Sequence, residues 1–131
     1  MNTKTTWKGG LAFESTYKNS SIHIDSNNGF SPKALLLTGL AGCTGVDVVS
    51  ILEKMRVPFA DLKIEVQTEQ TESDPKVFKD LHIVFRLKTG EENREKVKKA
   101  IDLSLEKYCG VAAMLRKNSS ISYILELEPE F

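Results

Sequence analysis

The chain has 131 residues, 40% hydrophobic and 27% charged, with 18 Lys+Arg against 18 Asp+Glu. This is globular composition, long enough for one domain spanning 1–131 with a core of its own, and a net charge of zero gives no electrostatic case for nucleic acid or an anionic membrane. No charged start followed by an apolar run opens the chain, and no uninterrupted apolar stretch approaches spanning length, so the expectation is a soluble cytoplasmic protein without a membrane partner.

Residues 6–30 carry two or three short strands. "TWKGGLAFES" and "SSIHIDS" alternate, and "YKNS" and "SNNGF" are rich in turn formers. Ser31-Pro32 then opens a helix, since serine caps well and proline is tolerated at the first helical position. The helix runs to about Arg56, where Val57-Pro58 stops it. "DLKIEVQTEQ" (61–70) and "VFKDLHIVFRLKT" (77–89) read as strands joined by a turn bent at Asp74-Pro75.

"GEENREKVKKAIDLSLEKY" reads as a second helix with acidic residues at its start, matching the dipole. Val97, Ala100, Ile101, Leu105 and Tyr108 form one apolar stripe, so this helix covers a sheet from one side. Cys109-Gly110 breaks it, "VAAMLRKN" forms a shorter third helix, and "ISYILELEPE" closes the chain as a strand. With no repeats or linkers, the result is one α+β domain.

The first helix differs from the second. At 100° per residue, one side holds Leu36, Gly39, Leu40, Cys43, Val46, Asp47 and Ser50, and the other Ala41, Gly45, Val48, Leu52 and Met55. A helix apolar all round is buried all round. One layer of a chain this size covers only one side, so the geometry predicts a homodimer with this helix in or beside the interface. Gly39, Gly42 and Gly45 cost roughly 1 kcal/mol each in a helix, which close approach of another backbone offsets. Cys43 among them reads either as a small apolar filler or as a thiol that a small molecule can reach.

The two cysteines, Cys43 and Cys109, are too far apart in sequence for a CxxC motif or a common zinc spacing. His23 and His82 sit inside alternating strand runs, so no metal site is expected. Tyr108 reads as a core aromatic, Asp47 and Ser50 as a polar patch or substrate contacts, and Lys96, Lys98 and Lys99 as a solvated face.

"SPKALLLTGLAGCTGVDVVSILEKMR", followed at a distance by "SLEKYCGVAAML", closely resembles the OsmC/Ohr family of osmotically inducible and organic hydroperoxide resistance proteins. The resemblance runs from about Trp7 to the last strand, and its most specific parts are the "GCT" turn of the first helix and the "KYC" ending the second. It implies an OsmC-like α+β fold, with antiparallel sheets wrapped around long central helices in an intertwined homodimer whose active site lies at the subunit interface. It also implies peroxiredoxin-like reduction of organic hydroperoxides in oxidative stress defence. Cys43 would be the peroxidatic thiol and Cys109 the resolving one, with a small or lipoyl-linked external dithiol as reductant and no cofactor. The alternative is a non-catalytic member, a thiol redox sensor or a binder of a small apolar ligand.

The chemistry needs a thiolate, and an ordinary cysteine is mostly protonated at neutral pH. Peroxidase members of the family supply an arginine from the N-terminal strands and a glutamate just after the helix-opening proline. Here no arginine precedes Arg56, and the glutamate position holds Lys33. Lys18 and Lys33 are therefore the activating or site-lining candidates, although a lysine lacks the planar fork of arginine. Lys33 lies roughly 15 Å before Cys43 along a helix rising 1.5 Å per residue. Asp47, one turn beyond Cys43, opposes thiolate formation unless neutralised.

Overall fold

A computed structural model describes residues 1–128 of the chain, so the Pro129-Glu130 end expected of the last strand lies outside the described residues. Contacts divide the chain into two compact units, Met1–Leu37 and Thr38–Phe131. The first helix runs across that division.

The first unit holds three strands, β1 (Lys4–Gly9), β2 (Ala12–Tyr17) and β3 (Ser20–Asp25), in an antiparallel sheet ordered β1-β2-β3. Of the two or three strands expected here there are three, because "TWKGGLAFES" folds back at Gly9 and Gly10, whose positive φ values of +105° and +55° glycine adopts without steric cost. The Trp7 indole N–H caps this turn by donating to the Gly10 carbonyl at 2.9 Å. Tyr17 pairs with Ser20, which leaves Lys18 and Asn19 as a two-residue hairpin loop with Lys18 at φ 53°. No residue from 1 to 37 is buried.

Helix α1 spans Pro32–Lys54. Its start is as expected: the Ser31 hydroxyl accepts the Ala34 N–H at 3.2 Å. Its end is a Schellman turn, with Val57 N–H on the Leu52 carbonyl at 3.0 Å and Arg56 N–H on the Glu53 carbonyl at 3.1 Å. Arg56 takes the left-handed position, φ 57°, that glycine usually holds.

The second unit is built on a sheet ordered β4-β5-β6, from β4 (Ala60–Gln70), β5 (Phe78–Lys88) and β6 (Ile121–Glu128). The β4–β5 pair is antiparallel, as the turn at Asp74-Pro75 requires, but β5 and β6 run parallel, from Leu81↔Ile121 to Lys88↔Glu128. The expectation of antiparallel sheets is thereby corrected for this one. A parallel neighbour needs a long crossover, and the helical segment between β5 and β6 supplies it. That segment is a 3-10 turn (Glu91–Asn93), α2 (Arg94–Leu103), a π-helical turn (Ser104–Tyr108) and α3 (Gly110–Leu115).

The core lies here. β5 buries Phe78, Leu81, Ile83, Val84, Phe85 and Leu87, and α2 buries Val97, Ala100 and Ile101. Of the second helix's predicted stripe, Leu105 is buried too, but Tyr108 is 55% exposed. The widened π turn ends the regular spacing before Tyr108 and swings it out of the stripe.

Helix α1 buries only Leu40, Thr44, Val48 and Leu52, a single row at every fourth position. Within one chain it is therefore not buried all round, and Val46 is 70% exposed. It is also long and apolar enough to cross a membrane by length and composition, with an 18-residue window of mean hydropathy 1.9. That corrects the expectation that no stretch approaches spanning length. Helices that pack in the cores of α+β domains meet the same two measures.

Candidate active site

Cys43 and Cys109 approach each other where α1 meets the π-helical turn. Their side chains lie close enough for Cys43 to act on the Cys109 thiol, and both are free thiols. Cys43 is half-buried, whereas Cys109 is only 3% exposed. The turn that delivers Cys109 is closed by its own N–H, which donates to the Ser104 carbonyl at 2.7 Å, five residues back. Such π turns widen a helix locally and are frequent at functional sites. The Cys109 sulfur also accepts the Ala112 N–H at 3.4 Å, capping α3.

A polar chain runs beside the thiols. The Ser104 hydroxyl donates to Asp47 Oδ2 at 2.8 Å and lies 2.8 Å from Thr44 Oγ1. Serine has one hydroxyl hydrogen, so with that hydrogen on Asp47 the Thr44 hydroxyl donates to Ser104. Thr44 and Ser104 are fully buried, and this chain satisfies both of them.

Burial pushes the Cys109 thiol up to about 11, helped by its bond to Cys43 and the Cys43 and Asp47 charges, against the Ala112 N–H. At neutral pH Cys109 is a neutral thiol able to donate a proton.

Two open depressions border α1. A pocket of about 560 Å³ lies beyond Asp47, between Ser50 and Lys54 on α1 and Leu103 and Tyr108 opposite. A second, apolar groove of about 750 Å³ runs along Thr38, Gly42, Gly45 and Val49 and is walled by Leu62 and Ile64 of β4. A Cβ on Gly45 would meet Ile64 Cδ1 at 3.1 Å, whereas at Gly39 and Gly42 it would meet nothing within 4 Å. Of the three helix glycines, only Gly45 serves close packing inside the chain.

Among the predicted site residues, Cys43, Cys109 and Asp47 come together. Lys18 lies at the β2–β3 loop with its ammonium 5.3 Å from the Tyr17 ring centroid, and Lys33 is on the first turn of α1. Both belong to the first unit. Thr44 and Ser104 were not predicted, although each is a polar residue on an apolar stripe, Thr44 between Leu40 and Val48 and Ser104 between Ile101 and Leu105. Among the described residues no three of His, Cys, Asp and Glu converge as metal ligands. His82 Nδ1 lies 3.0 Å from Ser122 Oγ.

The family model of OsmC-like proteins matches residues 25–124. Protein YhfA of Escherichia coli (strain K12) is 35% identical over 132 residues, covering 97% of this chain and 98% of that one. Among solved structures, a hypothetical protein from Aquifex aeolicus VF5 is 29% identical with a TM-score of 0.85, covering 97% of this chain and 96% of that chain. The organic hydroperoxide resistance protein OhrB of Bacillus subtilis shares the fold, with a TM-score of 0.65 at 20% identity over 96% of this chain and 98% of that chain.

Proposed function

Because this chain belongs to the OsmC-like protein family, we propose that it is a cysteine-based reductase of organic hydroperoxides. The observation that carries the reading is the meeting of Cys43 and Cys109, two free thiols close together, one half-buried and one buried. The fold is also shared with a protein named for organic hydroperoxide resistance.

The Cys43 thiolate attacks the terminal oxygen of ROOH. An S–O bond forms as the O–O bond breaks, and the alkoxide leaves and takes a proton to become ROH. Cys43 is left as the sulfenic acid. The Cys109 sulfur then attacks the Cys43 sulfur, the S–O bond breaks, and the Cys109 proton leaves with the hydroxyl as water. An external dithiol of small or lipoyl type reduces the disulfide by exchange and is itself oxidised. No metal or organic cofactor enters these steps. The cytoplasm, where thiols are kept reduced, fits this need.

Lys18 and Lys33 are the basic residues proposed to favour the Cys43 thiolate, and alanine at either is expected to slow alkylation of Cys43 at neutral pH. A second copy of the chain is proposed to cover the outer face of α1, where Val46 and the apolar groove stand open. The same groove supports a second reading, a non-catalytic member that binds a small apolar ligand.

The test mixes purified protein with cumene hydroperoxide and a dithiol and follows peroxide loss beside Cys43→Ser. Wild type is expected to consume peroxide and Cys43→Ser to lose at least nine-tenths of the rate, roughly the scale of a nucleophile's removal. Equal consumption by the two proteins would leave the ligand-binding reading standing.

A further inference from the structure

The polar chain from Thr44 through Ser104 to Asp47 runs beside the two thiols and ties the turn that carries Cys109 to the helix that carries Cys43. Ser104 takes part twice. Its side chain ties the π turn to Asp47 on α1 at 2.8 Å, and its carbonyl holds the Cys109 N–H at 2.7 Å. Thr44, next to Cys43 in sequence, donates into the same hydroxyl. One buried serine therefore links the neighbour of Cys43, the backbone of Cys109 and a carboxylate.

The charged neighbourhood of Cys109 is one-sided. From α1 it faces Cys43 and Asp47, both of which disfavour its thiolate. Arg116, at the end of α3, is committed to the Leu105 carbonyl at 2.9 Å. Lys107 on the π turn lies over the Tyr108 ring at 5.4 Å. Only the Ala112 N–H acts the other way.

We propose that Asp47, acting through Ser104, is the positioning residue of the pair, fixing the turn that carries Cys109 against Cys43. Burial keeps Cys109 neutral there. The inference rests on the reading of Cys43 and Cys109 as a redox pair. A neutral Cys109 arrives at the sulfenic acid with the proton that the leaving hydroxyl needs. A Cys109 thiolate would instead compete for the peroxide and sit beside the Cys43 thiolate as a second negative charge.

The test supplies its own oxidant. A nitrobenzoate aromatic disulfide reacts first at half-buried Cys43, releasing one coloured thiolate and leaving a mixed disulfide. Cys109 then attacks the Cys43 sulfur. The S–S bond between them forms, the bond to the aromatic sulfur breaks, a second coloured thiolate leaves, and the Cys109 proton passes to buffer. The rate of that second release is followed against pH, with Cys109→Ser, which lacks it, as the control.

Asp47→Asn keeps an oxygen for the Ser104 hydroxyl and is expected to close at the wild-type limiting rate. Asp47→Ala and Ser104→Ala each remove the tie, so the limiting rate at high pH falls about tenfold, as expected when a held geometry is loosened. The midpoint stays near that of wild type in all three, because burial is the main cause of the raised thiol. A wild-type limiting rate in Asp47→Ala or Ser104→Ala, a tenfold loss in Asp47→Asn, or no second release from wild type overturns the inference. Where Ser104→Ala is too unstable to assay, the two Asp47 variants decide alone. A protein that closes its disulfide but consumes no hydroperoxide overturns the peroxidase reading and leaves this inference intact.

Discussion

The two sheets are of equal strand number and unequal in nearly everything else. In β1-β2-β3 no residue is buried, and Trp7, Phe13, Tyr17 and Ile22 stand exposed. In β4-β5-β6 the middle strand buries six hydrophobic side chains. Both have strand-like alternation, so pattern alone does not tell a sheet with a core from one without. The difference lies in the supply of partners within each unit. The second unit has α2, α3 and most of α1 to place against its sheet. The first has three short strands and the first turns of α1, below the size at which a lone meander buries a face. An exposed aromatic sheet face of this kind is a candidate interaction surface, and the proposed second copy is one partner that would cover it.

The sharpest way to break the comparison is to remove one ring from each sheet. Phe85 is fully buried on β5 and packs edge to face on Tyr123, ring centroids 5.7 Å apart. Phe85→Ala is expected to cost about 3–5 kcal/mol in denaturant unfolding, the range for emptying a buried aromatic site. Trp7 is 65% exposed. At concentrations too low for association, Trp7→Ala should change unfolding by no more than about 0.5 kcal/mol. At higher concentration it should weaken self-association about tenfold in sedimentation equilibrium. A Trp7→Ala protein that associates as wild type would remove the reason to cover this sheet with a second copy.

The sequence made the elements legible and left the seams obscure. The three later strands, the cap at Ser31 and the stop at Val57-Pro58 were readable, and the number before Ser31 only to two or three, because alternation, serine before proline, and proline after a helix are local signals. The parallel β5–β6 pair was not readable, since strand direction depends on where a helical crossover leaves the chain. The π turn was missed because "SLEKYC" has ordinary helix formers, and its wider bond, from the Cys109 N–H to the Ser104 carbonyl, goes with a long-range tie of Ser104 to Thr44 and Asp47 of α1. At the site, Cys43, Cys109 and Asp47 were named, the first two largely through family resemblance. Ser104 and Thr44 passed unnoticed as small residues on apolar stripes, although a hydroxyl in such a place signals a buried partner. The single-chain exposure of α1 also separates two ideas merged in the helical wheel: an apolar surface all round, and burial all round, which one chain does not provide.

A smaller effect follows from Cys109, which belongs to the second unit. Its thiol is raised from 9.0 to about 11, burial being the main cause. A group whose folded value is raised adds stability that is fully present below its unfolded value and is lost as pH climbs through the folded one. Melting temperature should therefore decline between about pH 9 and 11 more steeply in wild type than in Cys109→Ser. Parallel curves would mean that Cys109 is as free to ionise folded as unfolded.

The smallest effect is expected one residue from the largest. Arg86 follows Phe85 on β5 and so points to the opposite face of the sheet. It bonds Glu126 of β6 at 2.8 Å and Glu65 of β4 at 3.1 Å, bridging all three strands on the solvent side. The Glu65 carboxyl is held below its usual range, by Gln67 first and Arg86 second. Three partly exposed charges in water are screened, and ordering their side chains offsets much of the attraction. Arg86→Gln should leave the melting temperature nearly unchanged, and any difference from wild type should vanish at high salt. A large loss that persists in salt would mean that the outer face of this sheet, and not Phe85's face, holds its strands together.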